Sequence, residues 1–119
     1  FLAYGNLANI YKVQGKLKKA IEYYEKTLEI NPSAADAINN LGVAYEEIGD
    51  INKAKNSFER AVKLNPNNRN AHYNLGNLYR SSSLYDKAID YYQKSKGLDI
   101  SESHMLECYY YLGKKEEFY

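Results

Sequence analysis

The chain has 119 residues, and its 16 lysines and arginines nearly balance 15 aspartates and glutamates, which leaves a formal net charge of +1. This balance argues against nucleic acid or a membrane as the partner, because such partners select basic patches. The single cysteine, Cys108, excludes an intrachain disulfide and gives no support for a structural zinc site. We therefore expect no metal, no cofactor and an intracellular, cytoplasmic location.

The sequence contains neither the pattern of a membrane span nor that of a signal peptide. No stretch approaches the roughly 18 consecutive apolar residues of a membrane span, and no basic start leads into an apolar run. The chain opens at Phe1 and stops at Tyr119 inside a helical pattern. We expect it to be a fragment of a longer protein.

Residues 1–34 predict a helical hairpin. Apolar residues recur at helical spacing along residues 2–13 and again along residues 17–29, which indicates two amphipathic helices. Gly15 lies between them, where a helix can end because glycine accepts positive φ at little cost. Ala8 and Ala20 are small, as expected where the two helices cross closely.

Residues 35–68 repeat this pattern most completely. Their first helix carries Ile38, Leu41, Gly42 and Tyr45 at i, i+3, i+4 and i+7, and their second carries Ile51, Ala54, Phe58 and Val62. Asp36 suits the positive end of the first helix. Because two short helices cannot bury their apolar stripes alone, a copy must stack on each side.

Residues 69–102 begin a third unit that weakens towards its end. Ser83 replaces the turn glycine, Ile100 stands where Pro66 stood, and Gly97 is expected to end the second helix early. Beyond it, sliding the register back by four residues aligns Tyr109 with Tyr79 and Gly113 with Gly49.

This slid register predicts a turn near residues 99–103, a third repeat of 69–98 or 69–102, and a partial or capping hairpin over 99–119. It leaves Leu106 in the slot that a small residue fills elsewhere. We therefore expect the last hairpin to pack differently from the others.

The copies recur at a fixed step of 34 residues. The matching sets are Leu7, Leu41 and Leu75; Ala8, Gly42 and Gly76; Tyr11, Tyr45 and Tyr79; Ala20, Ala54 and Ala88; Tyr24, Phe58 and Tyr92; and Pro32 and Pro66. The pattern resembles that of the tetratricopeptide-repeat (TPR) family. The resemblance implies a single all-α domain over 1–119, an α-solenoid of stacked antiparallel hairpins with three repeats and a divergent partial fourth. It also implies a protein-interaction scaffold.

Asparagines recur on the side of the first helices opposite the apolar stripe. Asn6, Asn40 and Asn74 follow the 34-residue step, and Asn9 and Asn77 flank them. In stacked hairpins this side is the concave wall, where amides can pair with the C=O and N–H groups of an extended peptide. Asparagine is a mediocre helix former, so its recurrence calls for a reason. The alternative is common descent of the repeats without retained binding.

The row Asn6, Asn40 and Asn74 resembles the asparagine ladder of O-linked N-acetylglucosamine transferase. That resemblance implies a module that holds a substrate peptide, and it implies no activity. A second family precedent, the carboxylate clamp for acidic chaperone tails, would need cations at Gly5, Asn70 and Asn74. Only its uncharged members, at Asn9 and Asn40, match, so we expect no such clamp.

The predicted peptide-binding set also includes two larger side chains of the groove side. Tyr73 is either an interface anchor or a ring packed over a neighbour, and Arg80 belongs with the mixed charges of Lys12, Glu46 and Glu47. The complete set is Asn6, Asn9, Asn40, Asn74, Asn77, Tyr73 and Arg80. A ligand that is neither strongly acidic nor strongly basic fits these residues.

We find no catalytic constellation in the sequence. His72 falls in a core slot of the repeat, while His104 and Cys108 would share one helix face without a third orienting group. Two ligands do not make a zinc site, and no glycine-rich phosphate loop is present. We expect a protein that is not itself an enzyme.

The last tyrosines suggest two alternatives to a peptide groove. Tyr109, Tyr110 and Tyr111 span several faces of one helix, so at least one ring should be exposed. The chain could therefore be a structural segment that self-associates through its C-terminal end. It could also be the substrate-recognition arm of a larger enzyme such as a glycosyltransferase.

Overall fold

The computed structural model describes residues 2–95 and 99–113, and these residues form helices without a strand. The helices are α1 (Leu2–Val13), α2 (Leu17–Ile30), α3 (Ala35–Glu47), α4 (Ile51–Leu64), α5 (Arg69–Ser81), α6 (Tyr85–Lys94) and α7 (Asp99–Tyr111). The predicted all-α helical-repeat class is confirmed. The chain divides into two compact units, Phe1–Pro66 and Asn67–Tyr119, here called unit 1 and unit 2.

Glycines close the hairpins of unit 1, as predicted. Gly15 and Gly49 have φ values of 79° and 89°, which residues with a side chain rarely adopt. The N–H of Gly15 bonds to the carbonyl of Lys12 at 3.0 Å, and the N–H of Lys16 reaches that of Tyr11 at 2.8 Å. These bonds satisfy carbonyls that the end of α1 would otherwise leave open.

The prolines end the second helices where the sequence predicts. Asn31 and Asn65 cap α2 and α4 with extended backbones, at φ −134° and −143°. Each precedes a proline, whose ring disfavours the helical conformation of the residue before it. At the other end of α4, the Asp50 carboxylate accepts the N–H of Lys53 at 3.2 Å.

Buried aromatic rings and small residues form the core of the first three hairpins. Ala8 and Ala20 are fully buried, as are the rings of Tyr24 and Phe58. A Cβ atom built on Gly42 would lie 2.6 Å from the Phe58 ring, and one on Gly76 would lie 2.7 Å from the Tyr92 ring. The helices of the second and third repeats therefore approach more closely than alanine would permit.

Unit 2 keeps the turn geometry with a different residue. Ser83, which replaces the turn glycine, has φ 62°, and Gly113 has φ 71° after α7. The N–H groups of Ser83 and Gly113 each bond to a carbonyl three residues earlier, at 3.0 Å. The slid register, which pairs Gly113 with the turn glycines of the earlier repeats, stays a prediction.

The second helix of the third repeat ends early, as predicted, at Lys94. The cap is Ser95, which is fully buried and whose hydroxyl donates to the Tyr92 carbonyl at 2.8 Å. Gly97, the predicted terminator, lies outside the described residues.

The predicted turn near residues 99–103 is wrong, because α7 begins at Asp99 and runs through this segment. The sequence Asp99-Ile-Ser-Glu102 places acidic residues in a first helical turn, which favours a helix start. The turn was placed by repeat register alone. Leu106, in the small-residue slot, is 53% exposed.

We predict that Gly42→Ala lowers the free energy of unfolding by about 1 to 3 kcal/mol, because the new methyl group collides with the Phe58 ring. Urea denaturation measures the change. The matched control is Gly5→Ala, whose Cβ would meet only the Thr27 Oγ1 atom at 3.8 Å. That variant should gain about 0.5 to 1 kcal/mol from helix propensity. Similar effects of both variants would contradict the close crossing.

We predict that Ser83→Gly raises the free energy of unfolding by about 1 kcal/mol, since the left-handed conformation costs a residue with a side chain roughly 1 to 2 kcal/mol. The comparison is Ser82→Gly, at φ −91°, which should not stabilise the protein. Thermal or urea unfolding of the two variants decides the matter. A stabilisation shared by both would argue against strain at Ser83.

Candidate functional site

Unit 1 contains a cleft of about 320 Å³ between α1, α2 and the start of α3. Three predicted peptide-binding residues, Asn6, Asn9 and Asn40, line it together. The other lining residues are Gly5, Tyr24, Thr27, Ala34, Ala35, Asp36 and Ala37. We call this site the amide cleft.

Hydrogen bonds orient two of the three amides. The Tyr24 hydroxyl donates to Asn9 Oδ1 at 2.5 Å, and Asn40 Nδ2 donates to the same oxygen at 3.4 Å. Burial raises the pKa of Tyr24 to about 12, so its hydroxyl remains a donor at physiological pH. Asn9 therefore presents its NH₂ group to the cleft, and Asn40 presents its carbonyl oxygen.

The third amide is available in full. Asn6 is exposed, and its side-chain amide makes no hydrogen bond within the described residues. Its donor and acceptor add to the Asn9 donors and the Asn40 acceptor. The amide cleft thus offers hydrogen-bond donors and acceptors side by side.

The charge of the amide cleft comes from one residue. Asp36, in the first turn of α3, is the charged member of the lining set. Its carboxylate lies at the positive end of the α3 dipole. The cleft disfavours an acidic ligand side chain at this point.

Unit 2 builds the same asparagine-tyrosine pair again. The Tyr92 hydroxyl donates to Asn77 Oδ1 at 2.5 Å, as Tyr24 does to Asn9. In the second repeat the corresponding residues are Val43 and Phe58, which are both apolar. The two positions therefore change together, and the first role of Asn9 and Asn77 is to satisfy a buried hydroxyl.

A histidine ring fills the space beside the unit 2 pair. His104 on α7 lies between Tyr73 and Tyr92, with ring centroids 5.8 and 5.6 Å away. Arg80 Nη1 lies 2.7 Å from His104 Nδ1, and Tyr73 Oη lies 3.2 Å from Nε2. Because a guanidinium only donates, Nδ1 accepts and Nε2–H donates to Tyr73. His104 is therefore the neutral Nε2–H tautomer.

Three models described as tetratricopeptide repeat match residues 1–34, 23–56 and 44–103, and the last spans half of the chain. The chain belongs to the tetratricopeptide-repeat family. None of the curated proteins matches the sequence closely enough to count as a relative.

Solved structures share this TPR fold. The crystal structure of MamA has 28% sequence identity and a TM-score of 0.89, and the match covers 96% of this chain and 69% of that chain. The first TPR of Spaghetti (RPAP3), bound to the HSP90 peptide SRMEEVD, has 22% identity and a TM-score of 0.87. That match covers 94% of this chain and 92% of the other, and it shows the fold alone.

The TPR structure separates the predicted site residues into two groups. Asn6, Asn9 and Asn40 share the amide cleft, whereas Tyr73 and Arg80 contact α7. Arg80 Nη1 also donates to Glu107 at 2.7 Å. Asn77 accepts from Tyr92, and Asn74, on the same helix, is intermediate in exposure. A role in peptide binding stays a prediction for all seven residues, in unit 1 as in unit 2.

His104 and Cys108 do not form a nucleophile pair. Arg80 and Tyr73 take both ring nitrogens of His104, while Cys108 is fully buried. Burial raises the pKa of the Cys108 thiol, which is the opposite of what an activated nucleophile needs. His72 is buried, as its core slot predicted, and its ring centroid lies 6.0 Å from that of Tyr91.

Sequence reasoning missed Tyr24 and Asp36 as parts of the site. Tyr24 was assigned to the core and Asp36 to a helix end. The signal for Tyr24 was the joint change of two positions, from asparagine with tyrosine to valine with phenylalanine.

As predicted for the C-terminal tyrosines, two are exposed: Tyr110 by 60% and Tyr111 by 58%. Among the described residues, no group of acidic, histidine or cysteine side chains could hold a metal, and no helix could cross a bilayer.

We predict that acidification destabilises the protein through His104. Burial, and next the charge of Arg80, hold the pKa of His104 below its ordinary value near 6.5, although Glu107 opposes them. The unfolded chain therefore binds the proton more readily than the folded protein does. The contribution of neutral His104 to the free energy of unfolding is fully present above about pH 6.5 and is lost as the pH falls. Urea denaturation at pH 7.5 and 5.5 should show a smaller loss for His104→Gln than for the wild type. Equal losses would contradict this role.

Proposed function

We propose that this chain is a protein-interaction module that holds an extended peptide segment in the amide cleft of unit 1. The observation that carries the proposal is the convergence of Asn6, Asn9 and Asn40 on one cleft, with Tyr24 orienting Asn9. Membership of the TPR family supports it, as does a fold neighbour that is described as bound to a peptide. The module needs no cofactor for this role.

Amide side chains suit main-chain recognition because each offers both a donor and an acceptor. Such contacts do not depend on the ligand's side chains, so they favour an extended conformation over a particular sequence. Orientation of Asn9 by Tyr24 lowers the entropy that binding would cost. The cleft is thus partly organised before the ligand arrives.

The ligand that fits is not an acidic tail. Gly5 leaves no cation where a carboxylate clamp would have one, and Asp36 adds a negative charge to the same cleft. An acidic peptide such as SRMEEVD, which the RPAP3 repeat binds, would meet repulsion at Asp36. A neutral or basic segment matches the amide cleft.

A second candidate function, stacking against further repeats or other copies, has one supporting observation. On α1, the side chains of Leu7, Ile10 and Val13 are 37%, 52% and 85% exposed. Leu41 and Leu75, which occupy the position of Leu7 in the next two repeats, are buried. A repeat packed on α1 would cover these side chains. Sedimentation equilibrium tests self-stacking, and a monomer at all concentrations would speak against it.

We predict that Asn40→Ala weakens peptide binding by about 0.5 to 1.5 kcal/mol, the usual net contribution of a hydrogen bond, and leaves the fold intact. Ligands are first selected from a random-peptide display library on the wild-type chain. Calorimetry then compares the wild type, Asn40→Ala and the triple variant of Asn6, Asn40 and Asn74. The matched control is Asn52→Ala at an exposed position of α4, which should bind as the wild type does. If the selected peptides bind the triple variant with unchanged affinity, the proposed role of these asparagines in peptide binding is wrong.

A further inference from the structure

The first and third repeats build the same stack of two tyrosines. Tyr23 stacks on Tyr11 with centroids 5.5 Å apart and an interplanar angle of 16°, and Tyr91 stacks on Tyr79 at 5.4 Å and 8°. A lysine covers the second ring each time: Lys26 lies 4.9 Å from the Tyr23 centroid, and Lys94 lies 5.3 Å from that of Tyr91. The stack is a regular feature of these hairpins.

The second repeat keeps one half of this stack and lacks the other. Tyr45 corresponds to Tyr11, and Lys53 lies 5.6 Å from its centroid, just as Lys19 lies 5.6 Å from that of Tyr11. The position of the second ring holds Ser57. Tyr45 consequently has no aromatic neighbour within the described ranges.

A cleft of about 410 Å³ lies where the ring is missing. Its lining residues are Glu25, Leu28, Glu29, Leu41, Tyr45, Lys53, Asn56, Ser57 and Arg60. We call it the tyrosine slot. It shares no lining residue with the amide cleft, so the two sites can be tested separately.

Hydrogen bonds hold two walls of the tyrosine slot in place. The Tyr45 hydroxyl donates to Glu25 Oε1 at 2.7 Å, and Arg60 Nη2 donates to the Pro32 carbonyl at 2.7 Å. Burial and the neighbouring Glu25 raise the pKa of Tyr45, so this donor is not lost at physiological pH. The surrounding side chains are therefore anchored rather than free to fill the gap.

The chemistry of the tyrosine slot selects an uncharged aromatic side chain. The ring of Tyr45 offers a flat face, and aromatic rings prefer such a face when they stack. Leu28 and Leu41, both nearly buried, add apolar surface. Four charged residues, Glu25, Glu29, Lys53 and Arg60, cancel in sign, so the slot has no net attraction for a charged group.

We infer that the tyrosine slot receives a tyrosine side chain from a partner polypeptide, which completes on Tyr45 the stack that the other two repeats complete for themselves. Tyrosine is favoured over an aliphatic residue because the ring face is matched and because polar groups of the slot can bond a phenol hydroxyl. This contact is additional to peptide binding in the amide cleft and does not depend on it.

The probe is N-acetyltyrosinamide, with N-acetylleucinamide as the matched aliphatic control. Titration into isotopically labelled protein, followed by NMR, should give saturable shifts of the Tyr45, Lys53 and Ser57 amides. The tyrosine probe should bind at least threefold more tightly than the leucine probe. Absence of saturable shifts, or equal affinity for the two probes, overturns the inference.

Three variants complete the test. Ser57→Ala keeps the tyrosine slot open and should bind the probe, whereas Ser57→Tyr supplies the ring and should lose binding while its melting temperature rises. Retained binding in a folded Ser57→Tyr overturns the inference. If that variant does not fold, Tyr23→Ser decides: it opens the same space beside Tyr11 and should gain a second probe site. A folded Tyr23→Ser without the new site also overturns the inference.

Discussion

The close crossing of the two helices of each hairpin is the constraint on which the rest of this structure depends. A buried ring, Phe58 or Tyr92, presses against a glycine of the facing helix so closely that a methyl group would not fit. Packing at this density fixes the distance and rotation of the helices. Each ring is therefore a rigid reference point for the polar groups around it.

That rigidity explains how a core residue organises a polar cleft. Tyr24 and Tyr92 are buried rings whose hydroxyls reach Asn9 and Asn77 on the groove side. A buried hydroxyl requires a partner, and a fixed hydroxyl fixes the partner in turn. Phe58 has no hydroxyl, and valine replaces the asparagine there. The packing of the tyrosine rings in the core thus determines the orientation of the asparagine amides.

Much of the fold could be predicted from the sequence because its determinants are local and recur. Gly15 and Gly49 adopt the positive φ that their turns require, and the residues before Pro32 and Pro66 are extended. The start of α7 differs from the prediction, because the 34-residue register fails there while the acidic residues Asp99 and Glu102 favour a helix start. Local chemistry was the better guide where the repeat diverges.

The sites were predictable only in part, because they depend on contacts between residues distant in sequence. The phase of Asn6, Asn9 and Asn40 was enough to place them on one wall. The position of the His104 ring between Tyr73 and Tyr92 could not be predicted, since α7 departs from the repeat pattern that places the other helices. The tyrosine slot could not be predicted from the small residue Ser57 alone, because it also requires the hydrogen bonds that hold Tyr45 and Arg60 in place around the gap.

The full burial of Cys108 gives this molecule an internal reporter. A thiol with no solvent access reacts with an alkylating reagent only when its helix separates from the rest of unit 2. Because Cys108 is the only cysteine in the sequence, the alkylation rate measures the opening of α7 without any engineered label. Alkylation of this one side chain can therefore be followed in the protein without engineered labels, because the other 118 residues carry no thiol.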